Sequence, residues 1–290
     1  PRSTLFPYTT LFRSLCLKVR VDYNGSYTYK HIGLSAELMS LDQWADAVIQ
    51  ARTNDGMGSD DKWLRYAKAA RTYRNQYIDL RYSPDIIGLG DIADYTFFDT
   101  DWQDILWGDS WSTQHELAIS GGKEGNTFRL SLGYMHDASN LKWGNNNNNR
   151  FNLRLSNSMK LNEHFSIESV IAYNRQDQVA PTQIGQCLTS ASQQPGFPSS
   201  TKDGKPYGWG SSKWGAPNWF AELGGDNKLK VSAVNISETL RYKIIDGLQA
   251  VAVLGYNSSY STRDTKSKSV EFYNYAGDVK QWDKPNQEDS

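Results

Sequence analysis

Apolar residues fall on every second position through much of this chain. Leu17, Val19, Val21, Tyr23, Gly25, Tyr27 and Tyr29 alternate with Lys18, Arg20, Asp22, Asn24, Ser26, Thr28 and Lys30. Phe128, Leu130, Leu132 and Tyr134 enclose Arg129, Ser131 and Gly133, while Phe151, Leu153 and Leu155 alternate with Asn152, Arg154 and Ser156. A period of two predicts strands with one apolar and one polar face. Turn-forming clusters at 121–126, 145–149 and 162–164 separate these runs. A further strand pair, Lys228 to Ile244 and Leu248 to Thr262, flanks a tight turn at Ile245-Asp246-Gly247, although Val251 and Val253 blur its alternation. Seven strands are expected in all, joined as an antiparallel meander. Runs of about ten or more residues, linked alternately by short turns and long loops, belong to outer-membrane barrels. Soluble sandwiches prefer roughly 5–6 residues per strand.

Residues 31–108 break the pattern. Ser40-Leu-Asp-Gln43 has the form of a capping box, and Trp44, Ala47, Val48 and Ala51 predict a short amphipathic helix. A second helix is expected from Asp61 to Asn75, with Trp63, Tyr66, Ala67 and Ala70 on one face. Pro84 and Gly88-Leu-Gly90 mark loops, and Thr100-Asp-Trp-Gln-Asp104 opens another helical turn. This segment predicts a folded, partly helical excursion. A second long connection, 176–227, is rich in proline and aromatic residues, and 145–149 reads as a flexible polar loop tip. The short connections all fall at one end of the meander. In bacterial barrels that end is periplasmic and the long loops are extracellular.

The aromatic content, 13% with 17 Tyr and 10 Trp, suits an aromatic girdle better than a charged surface. Net charge is −1, and −3 without Arg2 and Arg13, so no basic stripe points to nucleic acid. Cys16 and Cys187 lie far apart and make no zinc or redox spacing. His31, His115, His136 and His164 are isolated, and Asp99-Thr-Asp101 with Asp104 lacks the glycine and distal glutamate of a calcium loop. Gly121-Gly-Lys-Glu-Gly125 has no strand-to-helix setting for a phosphate loop. No metal or cofactor is implied. Tyr207, Trp209, Trp214 and Trp219 are the candidate substrate-binding residues, because flat aromatic faces stack on sugar rings.

The order Thr100-Asp101-Trp102, then Ile119-Ser-Gly121-Gly122, then Phe128-Arg129-Leu-Ser-Leu-Gly133-Tyr134, then Arg150-Phe-Asn-Leu-Arg154 resembles the SusC/RagA family of TonB-dependent outer-membrane transporters. The resemblance spans roughly Leu17 to Thr262 and implies the start of a transmembrane barrel, about 7 of about 22 strands. It further implies energised import of glycan fragments, or sometimes peptides, beneath a SusD-like lipoprotein lid. The lumen-filling plug, the segment that contacts the TonB complex and the later barrel strands are expected to lie outside this chain. Outer-membrane lipid would meet Phe128, Leu130, Leu132 and Tyr134, and the lumen Arg129 and Ser131. Thr4 to Ser14 is similar to the conceptual translation of a short-read sequencing adapter, so 1–14 is expected to be an artefact and 15–290 the partial barrel.

The resulting expectation is an all-β fold: an antiparallel meander of long amphipathic strands, a partial barrel wall with a helical extracellular excursion. It describes a passive wall and loop scaffold in the Gram-negative outer membrane, with no catalytic residues. The competing expectation is a soluble or surface-attached all-β carbohydrate-binding protein using the same aromatics. A glycoside hydrolase comes third, since it needs two carboxylates about 5–10 Å apart in a cleft.

Overall fold

The computed structural model describes residues 19–33, 37–79, 94–188, 195–209, 214–275, 277 and 279–283. The adapter-like segment, Cys16, Pro84 and Gly88-Leu-Gly90 lie outside them. In chain order the elements are β1 (Arg20–Lys30), α1 (Leu41–Asn54), α2 (Lys62–Thr72), β2 (Tyr77–Asp79), β3 (Asp94–Thr96), α3 (Trp102–Leu106) and β4 (Ser110–Lys123). There follow β5 (Asn126–Ala138), β6 (Asn147–Lys160), β7 (Phe165–Pro181), α4 (Ile184–Leu188), β8 (Gly208–Trp209), β9 (Trp214–Gly215) and α5 (Pro217–Leu223). The chain continues through β10 (Asp226–Ile245), β11 (Leu248–Thr265), β12 (Val270–Tyr273) and β13 (Val279–Asp283).

Seven of these strands form one antiparallel sheet in the order β1-β4-β5-β6-β7-β10-β11. Each strand pairs with the next strand of the wall along the chain. The all-β expectation and the count of seven both hold. The strands run from 11 to 20 residues, well beyond the soluble norm.

The two ends of the sheet differ. At one end β4–β5 and β10–β11 turn within two residues, pairing Lys123 with Asn126 and Ile245 with Leu248. Gly125 and Gly247 supply the positive φ, +84° and +87°, that such tight turns require. Among the described residues, every helix and short accessory strand lies in the connections at the other end or follows β11 there. There they build a cap around four apolar clusters. Leu41 and Ala45 of α1 pack on Tyr66, Ala67 and Ala70 of α2 with Phe97. Trp102 packs with Phe197, Tyr207 and Ala216; Leu106 with Leu141, Cys187 and Ala221; Phe220 with Val270 and Phe272. Among the described residues, only Ala118 and, at the cap end of β7, Pro181 are buried apolar residues of the seven-stranded wall. The core is therefore in the cap, and the wall is a single layer.

Local chemistry explains the helix boundaries. Ser40 forms the expected capping box with Gln43 before α1, and Asp61 caps α2 by accepting from the Leu64 amide at 2.8 Å. Arg74 bridges Asp42 and Asp99, while Asp99 accepts the Leu41 N–H at 2.8 Å, tying α1 to the segment after β3. The 31–109 excursion is closed at its base by Asp109. This carboxylate accepts from the Tyr29 hydroxyl and the Ile32 N–H and meets His31 Nδ1 at 2.9 Å. The Tyr29 hydroxyl, the Ile32 amide and His31 together hold Asp109 below the usual carboxylate range.

Several boundaries differ from the sequence expectation. Gly121 and Gly122 are strand residues of β4, not a turn, because the hairpin consumes only Glu124 and Gly125. The asparagine run is no flexible tip either. Asn147 to Asn149 begin β6, and the Asn149 amide donates to Asn147, whose own amide donates to Asn145. In α1 the expected Trp44 and Val48 do pack against the cluster, alongside buried Leu41 and Ala45, whereas Ala47 and Ala51 are exposed. The helix expected to reach Asn75 ends at Thr72. The region 176–227 is far less irregular than its prolines suggest: β7 runs on to Pro181, β10 starts at Asp226, and α4, α5 and a small hairpin lie between. No helix among the described residues is long and apolar enough to cross a membrane.

Candidate functional site

The register sorts the wall residues onto two faces, because directly opposed residues share a face. Tyr23, Leu117, Leu132, Leu153, Tyr173 and Val234 form one continuous cross-strand row, and Val21, Ile119, Leu130, Leu155, Ile171 and Ile236 the next. These side chains are exposed or half-buried; Tyr23 is 67% exposed and Leu132 41%. Near the cap, Trp111 lies 4.7 Å from Tyr27 and 4.6 Å from Tyr29 between ring centroids, and Tyr134 lies 5.0 Å from Phe151. At the hairpin end Phe165 and Tyr242 are 6.4 Å apart. An exposed apolar band thus lies between two sets of rings. One polar row crosses it, Asn157–Ser169–Glu238, in which the Ser169 hydroxyl donates to the Glu238 carboxylate at 2.6 Å.

The opposite face carries Arg129, Arg150 and Arg154, with Ser131, Asn152, Asn174 and Gln176 around them. The expected division of Phe128, Leu130, Leu132 and Tyr134 from Arg129 and Ser131 therefore holds as a division of faces. The motif glycines differ in purpose. The Phe128 ring covers Gly121, where an added Cβ would stand 3.1 Å from it. A Cβ on Gly122 would overlap the Asn126 carbonyl oxygen and approach Thr127 Cα to 2.8 Å, while one on Gly133 would meet the Asn152 amide at an ordinary 3.4 Å. Asp101 caps α3 by accepting from the Gln103 and Asp104 amides at 2.9 and 3.1 Å, and Trp102, 1% exposed, is a core residue of the cap. The motif is thus spread over cap and wall and converges on no single pocket.

The four candidate aromatics are placed unequally. Tyr207 is 1% exposed and packs with Trp102 and Phe197; its hydroxyl lies 3.1 Å from Thr96 Oγ1. Trp219 is half-buried, donates its indole N–H to the Ser199 carbonyl at 2.7 Å and lies 5.4 Å from Trp143. Trp209 and Trp214 pair backbone to backbone in the β8–β9 hairpin; their side chains lie outside the described residues. Phe197, Phe220 and Phe272, which support this region, carry no periodic signal. Only the bracketing of Phe197 by Pro195 and Pro198 marks it in the sequence.

Cys187 belongs to the same cap, with its thiol donating to the Pro217 carbonyl at 2.9 Å. Burial pushes the thiol up to about 11. Its alkylation by iodoacetamide at pH 8 is expected to run roughly a hundredfold slower than in the unfolded chain, because the thiolate is the nucleophile. Above the ordinary thiol value of 9.0 the unfolded chain loses this proton first. The cap should therefore lose stability between about pH 9 and pH 11, and equal labelling of folded and unfolded protein would contradict this.

No family model matches the chain, and no curated protein matches it by sequence. Solved structures do. The chain is similar to a chain of the RagAB peptide importer in its "closed-closed" state, at TM-score 0.63 and 16% identity over 88% of this chain and 29% of the other. It is also similar to the RagAB peptide transporter (0.57, 16%, over 84% and 28%) and to the importer's "open-open" state (0.55, 14%, over 86% and 28%). The fold is that of a stretch of a RagAB importer chain. At this identity the likeness is one of architecture, and this chain spans under a third of the RagAB chains it matches.

The two polar-face glycines give a direct test of the wall geometry. Gly122→Ala is expected to destabilise by about 1–3 kcal/mol, the cost of overpacking against backbone that cannot move aside. Gly133→Ala should stay within about 1 kcal/mol of wild type, since its neighbour is an accommodating side chain and alanine restricts the unfolded chain. Denaturant unfolding of the two variants side by side measures the difference; equal losses would contradict the hairpin geometry.

Proposed function

We propose that this chain forms the early part of the barrel wall, and the cap above it, of a Gram-negative outer-membrane importer of oligomeric nutrients. The carrying observation is the single-layer wall. Seven long strands expose an apolar band on one face and polar residues on the other, and among the described residues no second sheet covers the band. A soluble carbohydrate-binding sandwich would bury that face. The architecture shared with the RagAB importer chains supports the same reading, as does the motif order of the SusC/RagA family.

In this proposal the apolar band meets lipid and the polar face lines the lumen. The hairpin end is periplasmic, and the cap is extracellular. The wall and cap do no chemistry themselves; they shape and screen a passage. The cap also offers the surface on which a SusD-like lipoprotein lid would seat. Coupling to the TonB complex and the filling of the lumen fall to other parts of the longer protein. Peptide cargo takes its support from the RagAB likeness, and glycan cargo from the aromatic positions Trp209, Trp214 and Trp219. Tyr207 serves that region from beneath, as part of its support.

Sequencing the locus past both ends tests the proposal. A lumen-filling domain upstream and about fifteen further amphipathic strands downstream are expected, from a barrel of about 22. A stop soon after Ser290, together with a secretion signal just before Leu15, would sink the importer and leave a small β-rich binder.

A further inference from the structure

We infer that the polar face of the wall holds a recognition site for carboxylate-bearing cargo, centred on Arg129, Arg150 and Arg154. The inference rests on the importer reading and names the chemical class of what passes. Its starting point is a contrast in charge pairing on one face. Arg20 pairs with Asp22 at 2.6 Å, Lys30 with Asp137 at 2.7 Å and Arg241 with Glu168 at 3.3 Å. Arg129, Arg150 and Arg154 have no ion pair among the described residues.

Their neighbours account for this. Arg129 lies opposite Ser120 and Ser156, Arg154 opposite Ser131 and Ala172, and Arg150 opposite Met135 and Gln176. The nearest acid, Asp137, is one diagonal from Arg150 and already holds Lys30. Arg129 and Arg154 are themselves diagonal neighbours, roughly 7–8 Å apart at this pairing. Like charges so placed repel, so the wall carries a local penalty that an incoming anion relieves.

The spacing fits an extended oligomer. Arg150 and Arg154, four residues apart on one strand, stand roughly 13 Å apart at about 3.3 Å per residue. An extended peptide with carboxylates on alternate residues repeats at about half that distance, so its charges can meet all three guanidiniums. Guanidinium binds carboxylate through two parallel N–H bonds, a geometry lysine does not reproduce. Asn152 and Asn174, opposed between the arginine positions, offer both donor and acceptor to a neutral amide or hydroxyl.

The test uses the full-length transporter in cells, with two matched pairs of tagged probes: pentaglutamate against pentaglutamine, and pentagalacturonate against its methyl ester. Wild type is expected to take up the charged member of one pair roughly tenfold faster, the reach of a few partly exposed ion pairs. Which pair responds identifies the scaffold that carries the carboxylates. The triple variant Arg129→Gln, Arg150→Gln, Arg154→Gln should bring that ratio near one, chiefly by slowing the charged member. A triple Arg→Lys variant should keep part of the ratio, and guards against a glutamine variant that fails to assemble.

A glutamine variant that assembles and keeps the wild-type preference overturns the inference. So does one that admits both members faster and also lets in vancomycin, because the guanidiniums would then be holding a lumen-filling domain in place. Titrating the same probes into the purified transporter separates this from failure of the importer reading. Charge-selective binding without uptake sinks transport but keeps the site, whereas uptake without charge selectivity sinks the site but keeps transport.

Discussion

Leu132→Arg is expected to cost about 2–4 kcal/mol of folded stability in lipid, and Tyr27→Arg no more than about 1 kcal/mol. Leu132 lies mid-way along the apolar run of β5, between Leu130 and Tyr134, and its row continues through Leu117 and Leu153. Tyr27 stacks with Trp111 at the cap end of the band, where a charged tip can reach water. The cost of a guanidinium in a bilayer depends on depth, greatest at the midplane and small near the headgroups. Reversible unfolding of the full-length protein in phospholipid vesicles gives both values. Equal costs at the two positions would remove the lipid-facing assignment.

The second large effect belongs to the cap. Trp102→Ala should destabilise it by about 3–5 kcal/mol, since it removes a fully buried indole from the cluster with Phe197, Tyr207 and Ala216. The neighbouring Asp101→Ala removes only the cap of a five-residue helix and should cost about 1 kcal/mol. The wall strands hold one another through their own ladders, so the loss should be confined to the cap. Limited proteolysis reads this directly, with new cleavage in the excursion and intact wall hairpins. A Trp102→Ala protein as resistant as wild type would show that the cluster is not what holds the cap.

Much of the wall is legible from residues alone because a strand with two different environments writes a period of two into its side chains. Phe128 to Tyr134 and Phe151 to Leu155 announce both their faces and their pairing, and the register joins Tyr134 to Phe151 accordingly. Composition misleads where a polar or flexible residue is used inside the ladder. Gly121 and Gly122 look like punctuation, yet they sit in β4 because a ring and a hairpin backbone occupy the space of their missing side chains. The asparagines at 147–149 look like a loop, yet Asn149 Oδ1 meets His136 Nδ1 at 2.7 Å across the strands.

The cap is less readable for a different reason. Beyond α1 and α2 its elements are too short for periodicity, and its core is assembled from segments far apart in sequence, such as Phe220 with Phe272. Nothing about Tyr207 as a letter separates a ring buried under Trp102 from one facing a ligand. Beside the Ser40 capping box and the Asp101 turn, Pro217 at the first turn of α5 is a further start signal. The arginines show the same limit: their identity is plain in the sequence, but that they form no ion pair among the described residues emerges only from the structure.

The asymmetry between the sheet's ends also orders events in time. Neighbouring wall strands from β4 to β7, and β10 with β11, close over short or moderate loops, so that part of the ladder can zip as each strand arrives. The cap cannot. Its clusters join Trp102 to Ala216 and Phe220 to Val270, and Tyr207 bridges to Tyr273. Contacts between distant segments form slowly because each must close a long loop first. A newly assembling wall should therefore pass through a stage in which its ladder is formed and its cap is not, and the cap closes only after β12 has been delivered.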